Sequence, residues 1–125
     1  MISFTEKMVV DERRQAHRYP TSRHGRLLAG SGDGWGNAVP VVACDVSSGG
    51  LLIASSAWNA NVAKGVPVEV KIALDEGFCI LPARVAWVTE TSSGAWIAGL
   101  ALASQLVDAK ARAAFDRWRD EAAQA

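Results

Sequence analysis

Short stretches in which apolar and polar residues alternate dominate the middle of the chain. The clearest lies at 66–74, where aliphatic residues occupy every second position: Val68, Val70, Ile72 and Leu74. A period of two residues is that of a half-buried β-strand. Together with other apolar stretches bounded by turn residues, the pattern predicts six strands, near 25–29, 38–46, 51–55, 66–74, 79–89 and 95–103. This rhythm favours an antiparallel β-domain over alternating strands and helices.

The hydrophobic period becomes helical near the C-terminus. Apolar residues there recur on one stripe of a 3.6-residue repeat: Val107, Ala111, Ala114, Phe115, Trp118 and Ala122. The pattern predicts one amphipathic helix at 106–123 that packs on the strands. The chain therefore divides into a tail at 1–12 and a single domain at 13–125, in which the strands span 24–103.

Length and composition fit one small domain with its own core. The chain has 125 residues, and 50% of them are hydrophobic. No apolar run is long enough to span a bilayer, and Glu6 and Lys7 interrupt the first residues, so we expect a cytoplasmic protein without membrane insertion. Cys44 and Cys79 lie within apolar runs, which favours reduced core thiols over a disulfide or a metal site.

Charge is balanced overall but uneven along the chain. Thirteen basic and thirteen acidic residues give a formal net charge of zero, which disfavours binding to long nucleic acids or anionic membranes. Residues 13–26, however, contain five arginines, two histidines and no acidic residue. Tyr19-Pro20 ends the densest part of this segment, and the residue before a proline favours extended backbone over helix. We therefore predict an arginine loop at 13–20 that forms a local anion site.

Two short motifs carry the candidate chemistry. Residues 13–18 read Arg-Arg-Gln-Ala-His-Arg, an R-R-x-x-x-R arrangement, and residues 45–50 read Asp-Val-Ser-Ser-Gly-Gly, a D-x-S-x-x-G arrangement. Taken singly, the first is typical of a solvated basic face or of partners for Asp11, Glu12 and Asp45. The second is typical of a type I turn between strands. Their order and spacing within one small β-domain make the pair significant.

The pair of motifs resembles the signature of the PilZ domain family, R-x-x-x-R followed by [D/N]-x-S-x-x-G. Val85-Ala86-Trp87 is similar to the family's V-x-W strand, and residues 98–102 resemble its closing strand. The resemblance covers about residues 12–122 and implies a six-stranded antiparallel β-barrel with a C-terminal α-helix. It also implies a receptor for cyclic di-GMP, with no enzymatic activity and no cofactor, that changes conformation on binding and signals through an unidentified protein partner.

The resemblance further implies which residues bind the nucleotide: Arg13, Arg14, Arg18, Asp45, Ser47, Gly49 and Gly50. Arginine suits this ligand because its guanidinium forks onto a phosphate or onto O6 and N7 of guanine. The carboxylate of Asp45 suits the neighbouring N1–H and amino donors of guanine. A serine hydroxyl suits a base edge or a phosphate, and a glycine lets the backbone approach closely. In the family, an arginine in the place of Arg13 accompanies an intercalated pair of nucleotides, which implies two molecules per chain.

Three other functions are alternatives. A PilZ-like adaptor would bind a protein partner without nucleotide, although the intact motifs argue against it. A barrel for single-stranded nucleic acid should carry a basic groove lined by stacking aromatics, yet the chain has one Tyr and three Phe. An enzyme is disfavoured because Cys44, His17 and Asp45 form no recognisable nucleophile arrangement, and the sequence has no recognisable phosphate loop.

The five tryptophans divide into two groups. Four lie in or beside apolar stretches and are predicted to be core or near-core residues: Trp58, Trp87, Trp96 and Trp118. The fifth, Trp35, lies in the glycine-rich loop at 30–37 and is a candidate contact for a partner.

Overall fold

A computed structural model describes residues 17–29, 38–57, 61–92 and 94–125. Within these ranges the chain forms six strands: β1 (Tyr19–Ala29), β2 (Val39–Val46), β3 (Gly50–Ser55), β4 (Pro67–Leu74), β5 (Gly77–Ser92) and β6 (Ala95–Leu102). A short 3-10 helix (Ser104–Leu106) and helix α1 (Ala109–Gln124) follow. The predicted tail, Arg13, Arg14, Trp35 and Trp58 lie outside the described residues.

The six strands pair in the order β1-β2-β3-β6-β5-β4 and close into a barrel. Every neighbouring pair is antiparallel. In β4, where the period of two is clearest, Val68, Val70 and Ile72 are all buried in the core. The predicted six-stranded antiparallel barrel with a C-terminal helix is therefore confirmed.

The first strand begins earlier than the hydrophobic pattern predicted. β1 starts at Tyr19 rather than near residue 25. The reason is that Tyr19 and Pro20 already pair with Val46 and Asp45 of β2. The end of the predicted arginine loop at 13–20 is thus strand, which fixes its last residues against the second motif.

The C-terminal helix begins later than predicted, at Ala109 rather than at residue 106, because residues 104–106 form a separate 3-10 turn. Asp108 caps the helix, since its carboxylate accepts a 2.8 Å hydrogen bond from the backbone amide of Ala111. No helix within the described ranges is long and apolar enough to cross a membrane.

Helix α1 packs its apolar stripe on the barrel and completes the core. Phe115 and Trp118 are almost fully buried, and their rings meet edge to face with centroids 5.8 Å apart. Burial of a large aromatic side chain contributes about 2–3 kcal/mol to folding. The indole N–H of Trp118 donates a 3.1 Å hydrogen bond to Oγ1 of Thr21. The helix is therefore held to β1 close to where that strand begins.

Both cysteines carry free thiols. Cys79 is buried inside the barrel, and burial raises the pKa of its thiol to about 11. Cys44 is only partly buried, and its pKa is also raised, first by burial and then by the neighbouring Asp45 carboxylate. The prediction of a core position is therefore confirmed for Cys79, whereas Cys44 is only partly buried and does not belong to the core cluster.

Candidate functional site

A cleft of about 410 Å³ opens at the protein surface beside the turn that joins β2 to β3. Arg18, just before β1, and the turn at 47–50 form part of its wall. The remaining wall comes from β5 and β6: Ala86, Trp87, Gly99, Leu100 and Ala101. Its volume lies within the range of small-molecule sites. The cleft thus brings together the last arginine of the first motif and most of the second.

A β-bulge in β2 turns Asp45 toward Arg18. Ala43 pairs with Ile53 of β3 and Asp45 pairs with the adjacent Leu52, so Cys44 is an extra residue on β2. Ala43 is fully buried, and a regular strand would direct Asp45 to the same inner face. The extra residue reverses the side on which Asp45 lies, because a shift of one residue exchanges the two faces of a strand. An acidic side chain is thereby kept out of the apolar core.

The carboxylate of Asp45 forms an ion pair with Arg18. The guanidinium Nη1 donates a 2.7 Å hydrogen bond to Oδ1, which joins two residues 27 positions apart in the sequence. The Arg18 side chain is 49% exposed and that of Asp45 is 21% exposed. Solvent weakens such a pair, so it contributes about 0–1 kcal/mol to stability. Both side chains are therefore close together and accessible to solvent, and Arg18 lines the cleft.

The second motif forms a tight turn whose own hydrogen bonds hold it. The backbone amide of Ser47 donates to the Gly50 carbonyl at 2.9 Å, and the Ser47 hydroxyl donates to the same oxygen at 3.4 Å. The Leu102 amide anchors the turn to β6 by donating a 2.9 Å hydrogen bond to the Gly49 carbonyl. Ser47 is buried, whereas Ser48 and Gly49 are exposed at the tip. The hydroxyl of Ser47 thus has a structural partner within the turn.

The two glycines of the motif differ in what surrounds them. A Cβ on Gly50 would collide with the carbonyl oxygen of Leu100 in β6, so the close approach of these two strands requires glycine there. A Cβ on Gly49 would have no atom within 4 Å. Gly50 therefore has a structural role in strand pairing, and Gly49 leaves the backbone open toward the cleft.

A second bulge places an aromatic ring in the cleft. Val85 pairs with Leu100 and Trp87 pairs with the adjacent Gly99, so Ala86 is an extra residue on β5. Val85 is buried, whereas Trp87 beyond the bulge is 39% exposed. The space above Gly99 is filled by the indole of Trp87, since a Cβ on that glycine would collide with the ring. The bulge and the glycine together present Trp87 to the cleft.

The prediction that Trp87 is a core or near-core residue is therefore wrong, because its ring is exposed and lines the cleft. Val88, the next residue, packs against the core in its place. A period-two pattern cannot reveal a bulge, because the pattern assumes that the strand is regular. Trp96 and Trp118 are buried, as predicted. Two residues could have indicated an exposed Trp87: Ala86, which is the extra residue of the bulge, and Gly99 on the neighbouring strand, which has no side chain and leaves room for the indole.

A cation, a tight turn and an aromatic face line one opening, and the ion pair with Arg18 brings the carboxylate of Asp45 beside it. These groups suit recognition of a planar, anionic ligand with both donor and acceptor edges. His17 is exposed next to Arg18, and its ring lies 6.2 Å from that of Tyr19. Among the residues that the structure describes, no group of three or more His, Cys, Asp or Glu could hold a metal ion.

Comparison with known protein families matches residues 12–118 to the PilZ domain. This match covers both motifs and most of helix α1. Comparison with curated protein sequences gives no significant match.

Comparison with solved structures finds PilZ domains and a motility inhibitor among the matches. The PilZ domain of CeSA from a cellulose-synthesizing bacterium is 22% identical, with a TM-score of 0.61 over 85% of this chain and 97% of that one. The PilZ domain of YcgR from Escherichia coli, solved with c-di-GMP, is 13% identical, with a TM-score of 0.69 over 90% and 92%. The Bacillus subtilis inhibitor of motility, MotI/DgrA, is 16% identical, with a TM-score of 0.66. The alignment covers 87% of this chain and 50% of that one. At these identities the likeness establishes the fold.

Proposed function

Because the chain belongs to the PilZ domain family, we propose that it is a receptor for cyclic di-GMP, bound in the cleft that Arg18, Trp87 and the turn at 47–50 line. The observation that carries this proposal is the meeting of the two motifs. Arg18 of the first motif hydrogen-bonds to Asp45 of the second at 2.7 Å, and Arg18 lines the same cleft as the rest of the second motif. The solved YcgR domain with c-di-GMP provides a precedent for this ligand on this fold.

Arg18 and Asp45 match the two edges of a guanine base. The guanidinium donates to acceptors, such as O6 and N7 of guanine or a phosphate oxygen, while the carboxylate accepts from the N1–H and amino group. Binding exchanges one ion pair for two sets of charge-assisted hydrogen bonds. Inorganic phosphate would satisfy only Arg18 and would leave the Asp45 carboxylate without its cation. The pair therefore favours a guanine nucleotide over a simple anion.

Trp87 supplies a face on which a base stacks. Stacking of a base on an aromatic side chain contributes about 1–3 kcal/mol. The ring lies against Gly99 on the neighbouring strand, which limits its movement and lowers the entropy lost when the base binds. Trp87 is thus proposed as a binding residue in addition to the seven that the motifs indicated.

The two other arginines of the first motif extend the site. Arg13 and Arg14 precede the described residues by a few positions, and we propose that they bind phosphate and guanine groups beside Arg18. Two nucleotides per chain would follow if Arg13 engages the second. Gly49 leaves space for the nucleotide to approach the turn, while Ser47 holds the turn in shape.

The bound receptor signals through a protein partner in this proposal. Nucleotide neutralises the repulsion among Arg13, Arg14 and Arg18 and closes the arginine segment over the second motif. The resulting surface of segment, ligand and barrel differs from the surface without ligand, so a partner can bind the two forms with different affinity.

Isothermal titration calorimetry of the purified chain with cyclic di-GMP tests the proposal. We expect saturable binding that weakens as salt rises, because phosphate contacts are screened, and much weaker binding of GTP and cyclic AMP. Absence of heat, together with an unchanged melting temperature at high nucleotide concentration, would contradict the proposal. That result would instead favour an adaptor that binds its protein partner without nucleotide.

A further inference from the structure

An arginine of helix α1 reaches the turn of the second motif from outside the cleft. Nη2 of Arg112 donates a 3.4 Å hydrogen bond to the backbone carbonyl of Ser48, although the two residues are 64 positions apart. Ser48 lines the cleft. The bond is long, but it joins a full positive charge to the exposed tip of the turn. The helix is thus in direct contact with the wall of the site.

The direction of the Arg112 side chain is set by other residues of the helix. Its Nε lies 3.3 Å from the carboxylate of Asp116, one turn further along. Its guanidinium also lies 5.6 Å from the centre of the fully buried Phe115 ring. The Arg112 side chain is 35% exposed. Two contacts on the helix therefore hold the guanidinium in place where it meets Ser48.

The same helix also contacts β1, the strand that directly follows Arg18. Trp118, which packs on Phe115, donates its hydrogen bond to Thr21, three residues beyond Arg18. Helix α1 therefore contacts the second motif through Arg112 and the start of β1, close to Arg18, through Trp118. A movement of either segment on binding would reach residues that pack on one another within the helix.

We propose that Arg112 is a positioning residue of the nucleotide site, and that its hydrogen bond to Ser48 couples helix α1 to occupancy of the cleft. The inference rests on the proposed function. Arg112 holds the turn in the shape that receives the nucleotide, and its charge adds to the positive potential at the cleft. Nucleotide that fixes the turn also strengthens its contact with the helix, because coupling between two sites is reciprocal.

The test compares Arg112→Gln with Arg119→Gln, since both arginines lie near the same Asp116 carboxylate. Nη1 of Arg119 is 3.4 Å from that carboxylate, so its replacement removes a similar charge from the helix without touching Ser48. Hydrogen exchange of the amides at 48–50 and 109–124 is measured with and without cyclic di-GMP, and affinity is measured by calorimetry. Arg112→Lys is the conservative variant, because it keeps the positive charge but loses the planar guanidinium with its several N–H donors.

We expect Arg112→Gln to bind about 3- to 10-fold more weakly, the effect of one lost hydrogen bond, and Arg112→Lys to recover part of the loss. Arg112→Gln should also speed exchange at 48–50 without nucleotide and remove the protection that nucleotide gives to 109–124. Arg119→Gln should change none of these. Equal behaviour of the two glutamine variants, or helix exchange in the natural chain that saturating nucleotide leaves unchanged, would overturn the inference. Failure of the natural chain to bind cyclic di-GMP is a different result, which overturns the proposed function itself.

Discussion

The guanidinium of Arg18 donates a 2.7 Å hydrogen bond to the carboxylate of Asp45, and this contact joins the two sequence motifs. Neither side chain is buried, so the pair is weak enough for a ligand to replace. A nucleotide that binds to both side chains must offer an acceptor to Arg18 and donors to Asp45. In the proposed receptor, the ion pair would therefore favour ligands that carry both kinds of edge.

Replacement of either member of this pair should weaken nucleotide binding with little change in folding. We expect Arg18→Ala and Asp45→Ala each to lose about 1–3 kcal/mol of binding, the value of a bidentate or charge-assisted contact. The matched control is Arg23→Ala, which breaks a similar 2.8 Å ion pair to Asp75; Arg23 does not line the cleft. Calorimetry and thermal melting distinguish the two roles, because a structural pair would lower the melting temperature and leave the affinity unchanged.

Trp87→Ala should lose about 1–3 kcal/mol of binding if a guanine stacks on the indole. Trp87→Phe should retain most of the affinity, since a smaller aromatic face remains. Phe78→Ala removes another exposed aromatic residue, 57% accessible, that does not line the cleft, and should leave binding unchanged. Equal affinities of the Trp87→Ala variant and the natural chain would exclude stacking at this position.

The two glycines of the second motif should respond differently to alanine. Gly50→Ala should destabilise the protein by about 1–3 kcal/mol, because its Cβ would meet the Leu100 carbonyl and push β3 from β6. Gly49→Ala should change stability by no more than about 0.5 kcal/mol, since its Cβ would lie in open space. Chemical denaturation of both variants measures the difference. A fully stable Gly50→Ala variant would show that the strands can separate without cost.

Stability should fall as the pH rises from about 9 to about 11, and Cys79 should cause part of the fall. Burial raises the pKa of this thiol from 9.0 to about 11, so in this window the unfolded chain has lost the proton and the folded chain keeps it. Unfolding then releases a proton and becomes easier with each increase in pH. Cys79→Ala has no such proton, so denaturant titrations across this window should show a shallower decline. Parallel declines for the two proteins would mean that Cys79 titrates normally in the folded state.

Cyclic di-GMP should slow hydrogen exchange across residues 12–20. This segment carries Arg13, Arg14 and Arg18 and few apolar anchors, and bound phosphates would remove the repulsion among the three charges. Exchange that stays the same at saturating nucleotide would place the conformational switch elsewhere in the protein.

Calorimetry should give two nucleotides per chain, and Arg13→Ala should reduce that number to one.

The hydrophobic pattern was sufficient to predict six strands and the C-terminal helix, whereas the closed barrel followed from the resemblance to the PilZ family. The alternation around Val70 and the helical stripe around Phe115 each reflect one continuous buried face. The site could be predicted less fully, because its geometry depends on the bulges at Cys44 and Ala86. Each bulge moves the side chain of the next residue from the inner to the outer face of the strand. The position of a bulge depends on pairing with another strand, which the local sequence pattern does not show. Asp45 was recognisable from its motif, whereas Trp87 was assigned to a core or near-core position.

Closure of the barrel restricts how another protein can bind to this one. β1 and β4, which are distant in sequence, pair with each other, so each of the six described strands has a hydrogen-bonded neighbour on both sides along at least part of its length. A sheet with exposed edges can add a strand from a partner or from another copy of itself. Where the described strands are paired on both sides that mode is closed, and a partner that meets these stretches must contact side chains or loops. Along these paired stretches, closure also removes a common route to aggregation, the addition of strands from one copy of the chain to the next.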